Sequence, residues 1–193
     1  MKKNLLLLVF LFTVVSAMGQ TPPPAKSGDP ESGPWTTVSP ANGVFTVMMP
    51  GKVSETTAAV EGRPGIENHV LTLETKMAGY VVSFVEFPEE IVDPVAVKSI
   101  LDSGREGGLA SSKAELVSEK ELKFGEFSGR EWVMKLPSGL ETTARAYWVK
   151  KSLYQLIFVT SPTATDSAEL VKQRHDVGVK FFDSFTLAGA TGK

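Results

Sequence analysis

YVVSFVEF at positions 80–87 and LYQLIFVT at positions 153–160 decide the fold of this chain. Successive side chains of a β-strand point to opposite faces of the sheet, and a strand that is wet on one face alternates apolar and polar residues. These two stretches are instead apolar on both faces. In the first, Tyr80, Val82 and Phe84 oppose Val81, Val85 and Phe87; in the second, Leu153, Ile157 and Val159 oppose Tyr154, Leu156 and Phe158. Other parts of the chain must therefore cover both faces of the sheet centre.

Further strands are predicted around this central pair. They are residues 36–39, 45–49, 70–75, 131–136 and 143–149. The turn sequence at 77–79 joins two strands into one hairpin, and Pro-Ser-Gly at 137–139 joins two others. Only a short turn at Lys151 and Ser152 precedes the last strand, so three antiparallel strands should lie side by side at this end of the chain.

A first helix is predicted from a strong start signal, Asp93 as N-cap followed by Pro94. Its apolar stripe consists of Val97, Ile100 and Leu101. Gly104 and the Gly107-Gly108 pair are poor helix formers, so we expect the helix to weaken or end there. Arg105 would then lie in a Gly-rich loop.

A second helix is predicted near the end of the chain. It should begin near Thr165 and Asp166, where Glu169 has the spacing of a capping box. Its apolar face is formed by Leu170, Val171, Val177, Phe181 and Phe182. Strands, a helix, more strands and a closing helix indicate an α+β fold, in which an antiparallel β-sheet is packed with two main helices.

The two ends of the chain differ in composition from the middle. Residues 1–19 have the three parts of a signal peptide, a basic start, an apolar run too short to span a bilayer, and small residues suited to cleavage after Ala17 or Gly19. Residues 20–34, QTPPPAKSGDPESGP, should form a flexible spacer, and residues 188–193 a disordered tail. We therefore expect one α+β domain at 35–187, exported to the periplasm or the cell exterior, without stable membrane insertion after signal removal.

Charge and cysteine content limit the possible partners. Two of the 20 Lys and Arg residues lie in the predicted signal peptide. Its removal would leave 18 basic residues and 22 acidic ones, an excess of negative charge. No nucleic-acid partner is expected, because phosphate binding needs a clustered excess of Lys and Arg. The chain has no cysteine, which excludes disulfides, thiol catalysis and thiolate metal sites.

WTTVSPANGVFTVMMPGK at positions 35–52 resembles the opening of small exported bacterial domains of the PsbP-like (Mog1/PsbP) fold group. AYW at 146–148, LYQL at 153–156 and FFDSF at 181–185 are similar to later segments of that group. The sequence departs from the pattern at Val53, where the group usually has a second proline. The resemblance implies an α/β sandwich. It also implies a binding or accessory role more than catalysis, since relatives include photosystem accessory proteins and a nuclear-transport factor.

The candidate ligand-binding residues are Arg105, Arg130, Arg145, Trp132 and Trp148. Arg130 and Arg145 are on adjacent strands of a predicted hairpin. Converging arginines can hold a carboxylate or a phosphate, although ion pairs with neighbouring glutamates explain the same residues. Trp132 and Trp148 are placed to face each other across that hairpin, either as a structural pair or as a platform on which a ligand stacks.

Patterns typical of metal sites and of common hydrolases do not occur. His69 shares a face with Leu71 and Leu73 and should be a core or edge histidine, and His175 should be exposed on the closing helix. No second ligand stands at a metal-binding spacing, so no metal and no other cofactor is predicted. The nucleophile-elbow, Ser-x-x-Lys and phosphate-loop patterns do not occur either.

One cluster of acidic side chains remains as a candidate catalytic site. It consists of Glu86, Glu89, Glu90 and Asp93, between a strand and a helix. Paired carboxylates can hydrolyse glycosides or bind calcium. Negative charge also suits a helix N-terminus without any catalytic role.

Three hypotheses follow. The leading one is an exported, non-catalytic binding or accessory domain whose partner is a protein or a component of the cell envelope. The first alternative is a lipocalin-like barrel that binds a small ligand, because Gly33-Pro34-Trp35 matches a Gly-x-Trp pattern. The helix predicted in the middle of the strand series counts against that alternative. The second alternative is a hydrolase that uses the acidic cluster.

Overall fold

The computed structural model describes residues 34–188, so the predicted signal peptide, the spacer up to residue 33 and the tail from residue 189 lie outside it. This range contains ten strands and two helices. In chain order they are β1 Trp35–Val38, β2 Phe45–Pro50, β3 Ser54–Ala59, β4 Glu67–Glu74, β5 Ala78–Glu86, α1 Pro94–Ser112, β6 Glu115–Phe124, β7 Phe127–Lys135, β8 Glu141–Val149, β9 Ser152–Thr160, α2 Ala168–Asp183 and β10 Thr186–Leu187.

Seven strands form one antiparallel sheet in the order β3-β4-β5-β9-β8-β7-β6. The two doubly apolar strands, β5 and β9, pair at its centre, with Tyr80 opposite Phe158 and Val82 opposite Leu156. The predicted hairpins β4–β5 and β7–β8 are confirmed, and β7, β8 and β9 lie side by side. The sheet is open, with β3 and β6 at its edges, whereas the lipocalin-like alternative requires a closed one.

Helix α1 covers one face of the sheet. Asp93 is its N-cap, as predicted, and its Oδ1 accepts a hydrogen bond from the Val95 backbone N–H at 3.2 Å. The expected end near Gly104 is wrong, because the helix continues to Ser112 with Gly104 and Gly108 buried. Packing on the sheet outweighs the cost of about 1 kcal/mol for each glycine in a helix. The core on this side includes Val81, Ile157, Leu101, Trp132 and Trp148.

Helix α2 and a small three-stranded sheet, β1-β2-β10, cover the other face. The predicted start of α2 is slightly early, because Ser167 is the N-cap and its Oγ accepts from the Leu170 N–H at 3.1 Å. The predicted apolar face is correct at Phe181 and Phe182, which are buried, but Val171 is 55% exposed. The core on this side includes Phe45, Tyr80, Leu156, Phe158, Phe181 and Phe185. Both faces of the central sheet are thus covered, as the two apolar strands require.

Gly129 on β7 lies directly beneath the ring of Tyr147, its partner on β8. A β-carbon at this position would stand 2.4 Å from Tyr147 Cδ1 and 2.8 Å from the Ala146 carbonyl oxygen. The Tyr147 ring also stacks on Phe185, with centroids 6.2 Å apart. The glycine therefore makes room for an aromatic contact between the sheet and the end of α2.

Gly129→Ala is expected to lower the free energy of unfolding by about 1–3 kcal/mol, the usual cost of overpacking a filled site. Ser128→Ala, one residue earlier on the same strand, serves as the control and should change it by less than about 0.5 kcal/mol. Urea denaturation of the three proteins measures both values. Equal stability of Gly129→Ala and the parent chain would show that Tyr147 moves aside at no cost.

Candidate functional site

The three candidate arginines do not converge. Arg130 lies on the face of the sheet that α1 covers, together with Trp132 and Met134. Arg145 lies on the opposite face with Tyr147, and contacts α2. Arg105 is within α1, which corrects the expectation of a Gly-rich loop. The structure therefore brings Arg105 to Arg130 and separates both from Arg145.

Arg105 and Arg130 meet on one carboxylate, that of Glu119 on β6. Arg105 Nη1 lies 2.5 Å from Glu119 Oε2, and Arg130 Nη1 lies 2.6 Å from Glu119 Oε1. Burial opposes ionisation of Glu119, but the hydrogen bonds from both arginines hold its pKa below the ordinary value of 4.5. A second anion at this point would have to displace Glu119 from both guanidinium groups.

Glu119→Gln is expected to destabilise the fold by about 1–3 kcal/mol at pH 7, because it removes one charge-assisted partner from two guanidinium groups. The lowered pKa also fixes how this effect depends on pH. At pH values between the folded and the unfolded pKa of Glu119, the unfolded chain binds more protons than the folded chain. The contribution of the Glu119 carboxylate to the free energy of unfolding is therefore complete above about pH 4.5. It is lost as the pH falls through the folded pKa.

Urea denaturation of the parent chain and of Glu119→Gln from pH 3 to pH 7 measures this dependence. The stability difference between the two proteins should shrink on the acid side. A difference that stays constant over this range would contradict the assigned pKa direction.

Arg145 joins helix α2 to the sheet. Its Nε lies 2.6 Å from Glu131 Oε2, its Nη1 lies 3.2 Å from Asp183 Oδ1, and its guanidinium carbon lies 4.5 Å from the centre of the Phe182 ring. Burial opposes ionisation of Glu131, yet hydrogen bonds from Lys120 and Arg145 keep its pKa below the ordinary value. These contacts account for Arg145 as a structural link between two layers of the fold.

The two tryptophans are also inside the fold. Trp132 is 1% exposed and is paired with Ala144, so the expectation that it faces Trp148 across the hairpin is wrong. Trp148 donates from Nε1 to the Ile91 carbonyl oxygen at 2.9 Å, and its ring lies 5.4 Å from that of Phe87. Neither ring presents a face to solvent on which a ligand could stack.

The acidic cluster is divided among separate tasks. Glu86 pairs with Lys151 at 2.7 Å, and Asp93 caps α1. Glu89 and Glu90 are exposed in the loop between β5 and α1. Within residues 34–188, no group of three or more His, Asp or Glu side chains is placed to hold a metal ion.

The two histidines are placed as predicted. His175 is exposed on α2. His69 lies on β4 at the edge of the core, where its ring stacks on Phe84 with centroids 5.7 Å apart. Its Nδ1 is 3.1 Å from the hydroxyl oxygen of Thr57 on the neighbouring strand β3.

An open groove lies beside His69, and its lining residues belong neither to α2 nor to the small sheet. Its volume is about 300 Å³, and its walls include Glu67, His69, Phe84, Glu86 and Lys151. Its lining carries two carboxylates, those of Glu67 and Glu86, and one ammonium group, that of Lys151. The sequence gives little sign of it, because its residues come from β4, β5, the segments next to these strands and the β8–β9 turn, and they share no spacing.

The two edges of the central sheet differ in how they are protected. Strand β6 carries five charged side chains and a bulge between Leu116 and Ser118, features that discourage pairing with another strand. Strand β3 is short, fully exposed and regular in register along its whole length. Its sequence, SETTAA, has a single charge, on Glu55, which accepts a hydrogen bond from the Ala41 N–H.

Comparison with known proteins shows the fold. The chain is similar to the solution structure of cyanobacterial PsbP (CyanoP) from Synechocystis sp. PCC 6803, with a TM-score of 0.53 and 15% identity, over 86% of this chain and 98% of that one. A crystal structure from Bacteroides thetaiotaomicron VPI-5482 is more distant, with a TM-score of 0.37 and 12% identity, over 84% of this chain and 51% of that one. The chain therefore has a PsbP-like α+β fold, as the sequence resemblance implied.

No protein-family model matches the chain, and the search of curated proteins gives no match either. No helix within residues 34–188 is both long enough and apolar enough to cross a membrane.

Proposed function

We propose that this chain is an exported, non-catalytic binding or accessory domain whose partner is a protein or a component of the cell envelope. The signal-like sequence at 1–19 supports export. The PsbP-like fold supports an accessory role in general. Function is a property of sites and not of folds, so the proposal rests mainly on the surface of this chain.

The observation that carries the proposal is the contrast between the faces of the central sheet and its β3 edge. Both faces are filled with apolar side chains under α1 on one side and under α2 with the small sheet on the other. The candidate arginines are engaged by carboxylates inside these layers. Strand β3 and the groove beside His69 are open, which suits binding of an external partner.

Two measurements on the purified protein test this function. A panel of esters, glycosides, peptides and phosphates should give no turnover above background. Affinity capture from the native cell envelope, followed by mass spectrometry, should recover a specific component. A variant altered at the β3 edge or in the groove beside His69 should not retain that component. Turnover that disappears in Glu89→Gln or Glu90→Gln would overturn the proposal in favour of a hydrolase.

A further inference from the structure

Strand β3 has the properties of an edge that can accept another strand. An edge strand presents unpaired N–H and C=O groups to solvent, and proteins usually block such edges with lysine, proline, bulges or covering segments. Thr56, Thr57, Ala58 and Ala59 carry none of these features, and their pairing with β4 is regular. Within residues 34–188, β3 pairs with β4 alone.

The groove lies on the side of the sheet to which alternate β3 residues point. Ala59 is opposite Glu67, and Thr57 is opposite His69, so their side chains share one face of the sheet. A strand added beyond β3 would lie about 10 Å from β4, two strand spacings away. Thr57 and Ala59, whose side chains are short, mark the path across β3 that a Lys or Arg side chain would follow.

The charges at the end of this path favour a cation. The Glu67 carboxylate is exposed and lies 4.0 Å from His69 Nε2. Glu86 is paired with Lys151, which leaves Glu67 as the carboxylate of the groove that has no Lys or Arg partner within residues 34–188. The aromatic pair of His69 and Phe84 forms the wall against which the methylene groups of Lys or Arg can pack.

We propose that β3 binds an extended segment of a partner protein by strand addition, and that a Lys or Arg of this segment enters the groove to meet Glu67. Main-chain hydrogen bonds would give affinity, and the groove would give specificity, as in other cases of strand addition. This inference rests on the proposed function, because it specifies how the binding domain engages its partner.

The probes are two synthetic peptides, TVTRTVT and the matched TVTETVT, each added to the isotopically labelled full chain. The arginine peptide should shift the amide NMR signals of residues 54–59 and slow their hydrogen exchange. The glutamate peptide should bind about tenfold more weakly, because it places like charges together. Perturbation of signals away from β3 and the groove, or no binding of either peptide, would overturn strand addition.

Backbone methylation of the arginine peptide separates strand addition from simple charge attraction. Alternate residues of an added strand direct their N–H groups toward β3. One peptide is methylated on the backbone nitrogens of its odd-numbered residues and a second on those of its even-numbered residues. One of the two should therefore lose binding and the other should keep it. Equal binding by both would contradict the proposal, and this test leaves the protein unchanged.

Glu67→Lys is expected to reverse the preference, so that the glutamate peptide binds more tightly than the arginine peptide. Glu74→Lys, at the other end of β4, is the matched control and should leave the preference unchanged. Concentration-dependent self-association through β3 would instead identify a second copy of the chain as the occupant and overturn this inference. If no peptide bound and a partner were found on another surface, strand addition would be wrong but the proposed binding function would stand. Turnover in the substrate panel would instead overturn the proposed function.

Discussion

Trp132→Ala is expected to lower the free energy of unfolding by about 3–5 kcal/mol. Trp132 is 1% exposed and lies in the core that α1 forms with the sheet, so its removal leaves a large cavity that the surrounding strands cannot close. Chemical denaturation measured by circular dichroism gives the value. Trp132→Phe should cost less, because it keeps part of the volume and removes a buried Nε1–H that has no hydrogen-bond partner among the described atoms.

Val92→Ala is the control for this experiment. Val92 is 75% exposed next to the start of α1, and its truncation should change stability by no more than about 0.5 kcal/mol. If Trp132→Ala and Val92→Ala were equally mild, Trp132 would not belong to a packed core, and the arrangement of α1 on the sheet would be wrong.

Phe181→Ala is expected to have an effect of similar size, about 3–5 kcal/mol, on the opposite face. Phe181 is fully buried, and its ring centre lies 5.3 Å from that of Tyr80 and 5.2 Å from that of Phe182. Loss of this ring removes its aromatic contact with Tyr80 on the central strand β5. Chemical denaturation of the variant, monitored by tryptophan fluorescence, measures the change in the free energy of unfolding.

Val171→Ala tests whether this effect is specific to the buried end of α2. Val171 is on the same helix but 55% exposed, so its truncation should be nearly neutral. A large effect at Val171 with a small one at Phe181 would mean that α2 packs through a different face. Large losses at both Trp132 and Phe181 would show that each side of the sheet contributes separately to stability.

The central architecture could be predicted because it follows from local rules. Two strands that are apolar on both faces require cover on both faces, and the Asp93-Pro94 signal locates the first helix. The end of α1 could not be predicted, because helix propensity at Gly104 and Gly108 favours termination and only packing against the sheet reverses it. Strand β3 was missed for a related reason, since SETTAA has no apolar alternation and is held by its pairing with β4.

The candidate site was predicted less well than the fold. The sequence placed Arg130 and Arg145 on adjacent strands, but their side chains point to opposite faces of the sheet. The carboxylate partners of Arg130 come from β6 and α1, and those of Arg145 come from β7 and α2. The ion pair of Arg105 with Glu119 joins an α-helix to an edge strand, and no spacing of residues in the sequence predicts that contact. The groove beside His69 is lined by residues from separate parts of the chain, which only the assembled fold brings together.

The binding function is tested most directly by position-specific photo-crosslinking in the native cells. A photoreactive amino acid is placed at Thr56 on the β3 edge and, in a second protein, at His175 on the exposed face of α2. Irradiation should join the Thr56 position to one specific protein or envelope component and give no such product from His175. Identical products from both positions, or none from either, would contradict a binding domain that engages its partner through this edge.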